Sequence, residues 1–193
     1  MKASGSHFRL VLLIGCLLLT VSSCTRPAKQ EGITLKRPPV TTSEQTIEGR
    51  VVRVADGDTI TVLDAANMQY RIRLKGIDAP ESHQDFGARS KQSLSSLIFG
   101  KEVTVLYDKT DQYGRVVGKV LLDGRDINLE QVRVGMAWHY KEYDREQTAE
   151  DRDLYARAED EARAARRGLW IDTNPVAPSD FRKDQKRARE DAR

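Results

Sequence analysis

Residues 47–63 read IEGRVVRVADGDTITVL, and the fold turns on how that stretch is parsed. Two β-branched runs flank Asp56-Gly57-Asp58, a tripeptide of turn formers, so the reading is strand, tight turn, strand. In the first run Ile47, Gly49, Val51, Arg53 and Ala55 alternate with Val52 and Val54, which assigns the two sets to opposite faces. Residues 59–63 form the second strand. Further out, residues 70–74 set Tyr70, Ile72 and Leu74 against Arg71 and Arg73, so two arginines share the face opposite the apolar one. Residues 102–107 and 115–122 add two strands, joined by the turn-rich segment 108–114. Three helices fit around these strands. Residues 86–99 end at Gly100, and residues 127–134 lie between an Asp126 cap and a Gly135 stop. Residues 148–167 carry a stripe of Leu154, Ala158, Ala162 and Ala165 that Leu169 continues. Five short strands with interspersed helices predict an α+β, β-rich fold, a five-stranded and mostly antiparallel OB-fold-like barrel with three helices.

The flanks set the organisation. The chain has 193 residues, 39% hydrophobic and 32% charged, which suits one soluble domain with appendages. Met1 to Arg9 carries Lys2 and Arg9 and no acid, and an unbroken apolar run of 12 residues follows from Leu10 to Val21. A membrane-spanning helix needs about 20 apolar residues, so this run reads as the apolar region of a signal peptide. Val21-Ser22-Ser23-Cys24 resembles a bacterial lipobox. That resemblance implies cleavage before Cys24, lipidation of Cys24, and an exported lipoprotein held on a membrane at the periplasm or cell surface. Several acyl chains, at about 0.8 kcal/mol per buried CH₂, suffice for stable anchoring. Cleavage near the same point by an ordinary signal peptidase is the alternative.

The expected organisation is therefore a lipoprotein signal peptide at 1–23, an extended tether at 24–44, the OB-fold-like domain at 45–172 and a polar, frayed tail at 173–193. Cys16 leaves with the signal peptide and Cys24 takes the lipid, which excludes an internal disulfide, cysteine metal sites and cysteine nucleophiles. Loss of Lys2 and Arg9 takes the formal charge from +3 to +1. So small a charge excludes capture of nucleic acid by bulk field and implies few phosphate contacts.

Two acidic clusters carry the chemistry: Asp56-Gly57-Asp58-Thr59, and Ile77-Asp78-Ala79-Pro80-Glu81 directly after the strand holding Arg71 and Arg73. Carboxylates at turns between strands can converge on one hard cation. Neither cluster has the ligand spacing of an EF-hand loop. Taken together and in order, Asp-Gly-Asp-Thr, Arg73 five residues before Asp78, Asp78-x-Pro-Glu81, Asp111-Gln-Tyr-Gly-Arg115, Gly135-Met-Ala and Gly168-Leu-Trp170 resemble the staphylococcal nuclease (thermonuclease) family from about residue 46 to 170.

The resemblance implies a Ca²⁺-dependent endonuclease, a hydrolase of phosphodiester bonds that cuts DNA and RNA to 3′-phosphate products. The nucleic acid would be single-stranded or locally opened, and the enzyme a monomer with no obligate protein partner. It implies Asp58 and Asp78 as calcium ligands, with the Ala79 backbone carbonyl completing the site; the best-known member has Thr at that position. Glu81 is implied as general base, Arg73 and Arg115 as phosphate-binding catalytic arginines, Asp56 as an acid of the outer shell and Tyr113 as a substrate contact. Tyr140 and Tyr143 follow as further substrate contacts, although their spacing departs from the family's tyrosine pair. Elementary chemistry agrees with these roles. Arginine offers planar bidentate donors that stay charged at any working pH, and a carboxylate beside the metal can accept a proton from water.

Other features read more plainly. His139-x-Lys141 with Glu146 falls short of the phospholipase D pattern, which wants Asp at the last place and a second copy. His83 is expected as an exposed loop histidine. Glu159-Asp160-Glu161 is expected on a solvated face, with Arg163, Arg166 and Arg167 complementing a helix C-terminus. A binding module that grips a polyanion without cutting, or a structural envelope lipoprotein, would use the same barrel and leave the acid–arginine set without work.

Overall fold

The computed structural model describes residues 45–193. The expected signal peptide, the tether and Cys24 lie outside these residues. In chain order the elements are β1 (Gln45–Val54), β2 (Thr59–Leu63), β3 (Gln69–Leu74), β4 (Ile77–Asp78), α1 (Gly87–Ile98), β5 (Glu102–Thr110) and β6 (Val116–Leu122). There follow β7 (Arg125–Asp126), α2 (Ile127–Arg133), β8 (Trp138–His139), α3 (Ala149–Ala164) and α4 (Pro178–Asp191), with 3₁₀ turns at Lys141–Glu146 and Gly168–Ile171. No described helix is long and apolar enough to cross a membrane.

The sheet runs β3-β2-β1-β5-β6, and a parallel pairing of β3 with β6 closes it into a five-stranded barrel. This is the expected OB-fold-like architecture, with every other barrel pairing antiparallel. Closure leaves no barrel edge unpaired along the seam, where Ile72 faces Val116 and Arg73 faces Val117. Asn128 of α2 pins that seam from inside. Its amide donates to the Lys75 carbonyl at 3.0 Å and the Gly118 carbonyl at 3.1 Å, and its Oδ1 accepts from the Val120 N–H at 3.1 Å. Val51, Ile60, Ile72, Val105 and Val120 fill the barrel, with Leu94 and Ile98 of α1 and Ile127 and Val132 of α2 packed against it, all fully buried.

Four features differ from the sequence reading. In β1 the partner of Val51 is Val62 and that of Arg53 is Thr61, so Val52 is an extra residue. This bulge reverses the alternation: Arg53 is exposed and Val54 buried. A second bulge at Asp108 carries β5 on to Thr110, beyond the expected end at Tyr107. On α3 the buried face is Tyr155, Ala158, Glu159 and Ala162, while Ala165 is exposed. Tyr155 takes the core position because its hydroxyl donates to Asp126 at 2.9 Å. Glu159 is buried because it accepts from the His139 N–H and pairs with Lys141 and Arg163. The acidic run around it is thus only partly a solvated face. The tail expected to fray is the helix α4, begun by Pro178 at its first turn with Asp180 close behind.

Candidate active site

The first acidic turn is built around Asp58. Its backbone N–H donates to Asp56 Oδ1 at 3.1 Å, Ala55 and Thr59 bond across the turn, and the Asp58 carbonyl accepts from the Leu74 N–H at 2.8 Å. Gly57 has to be glycine. A Cβ there would meet Ser90 Oγ at 1.8 Å and Ala79 Cβ at 2.7 Å, so α1 and the second acidic loop pack directly on the turn. Gln131 donates to the Gly57 carbonyl at 3.1 Å and holds it from behind.

The second loop is fixed by the small pairing of β4 with β8, Ile77 opposite His139 and Asp78 opposite Trp138. It is joined to the first directly, since the Ala79 N–H donates to Asp58 Oδ2 at 2.7 Å. Arg73 bridges the two aspartates, 3.0 Å from Asp58 Oδ2 and 3.0 Å from Asp78 Oδ1. Both carboxylates are buried. Burial lifts the Asp58 carboxyl to about 7; the charge of Arg73 and the Ala79 N–H oppose the rise, and Asp56 and Asp78 add to it. Asp78 is raised in the same way by burial, opposed by hydrogen bonds from Arg182 and by the charge of Arg73.

The closed seam brings in the other arginine. Because Ile72 pairs with Val116, the hairpin before β6 lies beside Arg71 and Arg73. There Asp111 accepts from the Tyr113 and Arg115 N–H groups at 2.9 Å each and from Arg115 Nε at 2.8 Å. Partial burial works against its ionisation, but the bonds from Arg115 prevail and hold this carboxyl below the ordinary range. The Arg115 guanidinium lies 5.4 Å from the centre of the Tyr113 ring, and Tyr113 is 69% exposed, open to a ligand.

One cleft of about 840 Å³ gathers all of this. Asp56, Asp58, Arg73, Asp78, Ala79, Glu81, Tyr113, Arg115, Tyr140 and Tyr143 all line it, so every expected site residue among the described ones converges there. Tyr140 and Tyr143 pack on each other at 4.9 Å between ring centres. Burial, and then the charge of Asp78, raise the Tyr140 hydroxyl above its ordinary value. The same cleft includes residues that the sequence reading passed over. Arg71, to which the sequence pattern assigns no role beyond its strand face, lines it, and so do Lys109 and Glu146, which form an ion pair. Arg182 of α4 is the largest omission: it contacts Asp78 and Glu81 from 104 and 101 residues away in sequence. No motif in the tail distinguishes it from the other basic residues there.

The donor set suits a hard cation. Asp58, Asp78 and Glu81 offer only oxygen, at the mouth of a solvent-open cleft. Among the described residues no three acidic, histidine or cysteine side chains are already gathered as a metal cage. A bound ion would therefore draw part of its shell from the Ala79 carbonyl, water or phosphate.

Comparison with known proteins agrees with this geometry. The family of staphylococcal nuclease homologues matches residues 71–172. A Haemophilus influenzae protein described as an uncharacterized endonuclease is 42% identical over 137 residues, covering 71% of this chain and 74% of its own. An Escherichia coli protein of the same description is 47% identical over 133 residues, covering 68% and 82%. A Shigella flexneri micrococcal nuclease is 43% identical over 150 residues, covering 72% and 83%. On the barrel, the paired acidic turns and these matches, the chain belongs to the staphylococcal nuclease family.

Proposed function

We propose that this protein, a nuclease that hydrolyses phosphodiester bonds, is Ca²⁺-dependent and cuts DNA and RNA to 3′-phosphate products. The observation that carries this reading is the convergence of Asp58, Arg73, Asp78, Glu81 and Arg115 on one cleft. Asp58 and Asp78, with the Ala79 carbonyl, would hold the ion. Bound calcium would neutralise a phosphoryl oxygen and hold water near the phosphorus.

The protein's own residues do the rest. Glu81, on the loop after Asp78 and with its side chain 34% exposed, accepts the proton of the attacking water. Arg73 and Arg115 hold phosphate oxygens and stabilise the charge that grows on them as the bond to the 5′-oxygen breaks. Asp111 aims Arg115 through the Nε contact and leaves its terminal nitrogens for the phosphate. Tyr113, Tyr140 and Tyr143 offer ring faces and hydroxyls to the nucleotides, which favours single-stranded or opened substrate. The +1 charge of the mature chain fits an enzyme that finds phosphate locally rather than by field.

The test is hydrolysis of single-stranded DNA, duplex DNA and RNA with calcium and with a calcium chelator. Activity that needs calcium and leaves 3′-phosphate ends is expected. Activity persisting in the chelator, or binding without cleavage at saturating calcium, overturns the reading.

The N-terminal motif supports a second proposal: an exported lipoprotein anchored through Cys24, at the periplasm or cell surface. Cys24→Ala should release the protein from the membrane fraction, and retention there would refute the anchor.

A further inference from the structure

The cleft is closed on one side by a group the family motifs do not include. Arg182 Nη2 lies 3.0 Å from Asp78 Oδ2, and Arg182 Nη1 lies 3.2 Å from Asp78 Oδ1 and 2.9 Å from Glu81 Oε1. Both oxygens of a buried aspartate and one of the proposed base are therefore engaged by a single guanidinium. These are the atoms that a hard cation and an attacking water would need. Arg73 already neutralises the inner side of the aspartate pair, so Arg182 fills the remaining demand for positive charge.

The helix that carries Arg182 rests lightly on the domain. The Val176 carbonyl accepts from Gln84 at 2.7 Å, and Phe181 lies 5.2 Å from the His83 ring. A hollow of about 190 Å³ remains between this segment and the loop at 80–86. Beyond these points α4 is polar, with Pro178 its only buried residue. A helix with so little apolar burial belongs to the part of a protein that opens at low free-energy cost.

We propose that α4 is a latch, and that Arg182 is a built-in counter-charge that occupies the Asp78–Glu81 carboxylates until a divalent cation displaces it. The proposal rests on the reading of Asp58 and Asp78 as calcium ligands. Binding of the ion and seating of Arg182 then exclude each other, so the measured affinity for calcium is lowered by the fraction of molecules whose latch is open.

The test uses the full chain without nucleic acid. Calcium chloride is titrated calorimetrically into the wild type, Arg182→Ala, Arg182→Lys and Asp58→Ala, and amide exchange of α4 is followed with and without calcium. Arg182→Ala should bind about tenfold tighter, the change expected when a charge-assisted pair no longer has to break. Arg182→Lys, which keeps the charge and loses the bidentate fork, should fall between. Calcium should speed exchange across Pro178–Asp191 in the wild type. Equal or weaker binding by Arg182→Ala, with Asp58→Ala still impaired, overturns the latch and leaves the calcium site standing; it would make Arg182 a partner of the site rather than its competitor. Absence of calcium binding in every protein overturns both.

Discussion

The two walls of the cleft are built on opposite principles. On the barrel wall, Asp58 and Asp78 are buried, bridged by Arg73, tied by the Ala79 N–H and backed by Gly57 and Gln131. Each of these groups has several partners, so none can move alone. On the helical wall, Arg182 reaches Asp78 and Glu81 from a polar helix seated on Phe181 and one carbonyl. The first wall is paid for by the whole barrel and fixes geometry; the second is held mainly by the charges it meets. Rigid placement suits groups that must wait for a transition state, and a loosely held wall suits a group that has to leave.

Four changes would break or sharpen this contrast, the largest first. Glu81→Gln keeps the shape of the base and removes its proton affinity. Turnover should fall by about 10²–10⁴-fold with substrate affinity retained, measured by steady-state kinetics beside direct binding; equal losses in both would make Glu81 a support for the loop. Gly57→Ala attacks the rigid wall, because its Cβ has no room beside Ser90 and Ala79. It should cost about 1–3 kcal/mol in urea unfolding, and a neutral result would show that the turn is less constrained than its contacts imply.

Asp58→Asn tests what the buried carboxylate costs. The folded-state value of Asp58 is about 7, above the ordinary 3.8. Its contribution to stability is therefore full below about pH 4 and is lost as the pH rises through 7. In a chelator, Asp58→Asn should melt several degrees above the wild type at pH 8, and the gap should close as the pH falls toward 4. A gap that does not depend on pH would mean that Arg73 compensates the charge in full. Phe181→Ala should produce the smallest effect: the urea midpoint should stay within experimental error while amide exchange across α4 rises. A large loss of global stability would show that the helix is an integral layer and not a latch.

Legibility in the sequence divides along the same line. The rigid wall was readable because its residues are close in the chain and their types are dictated by turn and strand chemistry: Asp56-Gly57-Asp58, then Arg73, then Asp78 through Glu81. The meeting of Arg73 with Arg115 was suggested by family likeness, but its physical cause is the parallel β3–β6 pairing, which no local pattern announces. Arg182 was invisible because α4 has no apolar stripe and its basic and acidic residues alternate as in a solvated tail. The bulge at Val52 and the burial of Glu159 were missed for a related reason. In both, a partner distant in sequence overrides the local preference, a strand register in one case and Lys141 with Arg163 in the other.

The seam has one more consequence, for the time before the protein is folded. Asn128 and the β3–β6 pairing join segments that a growing or unfolded chain holds far apart. Arg73 and Arg115 have no common neighbourhood until that seam of the barrel is closed. A half-made chain thus carries its nuclease in separate pieces and gains its active site only when the ring is completed.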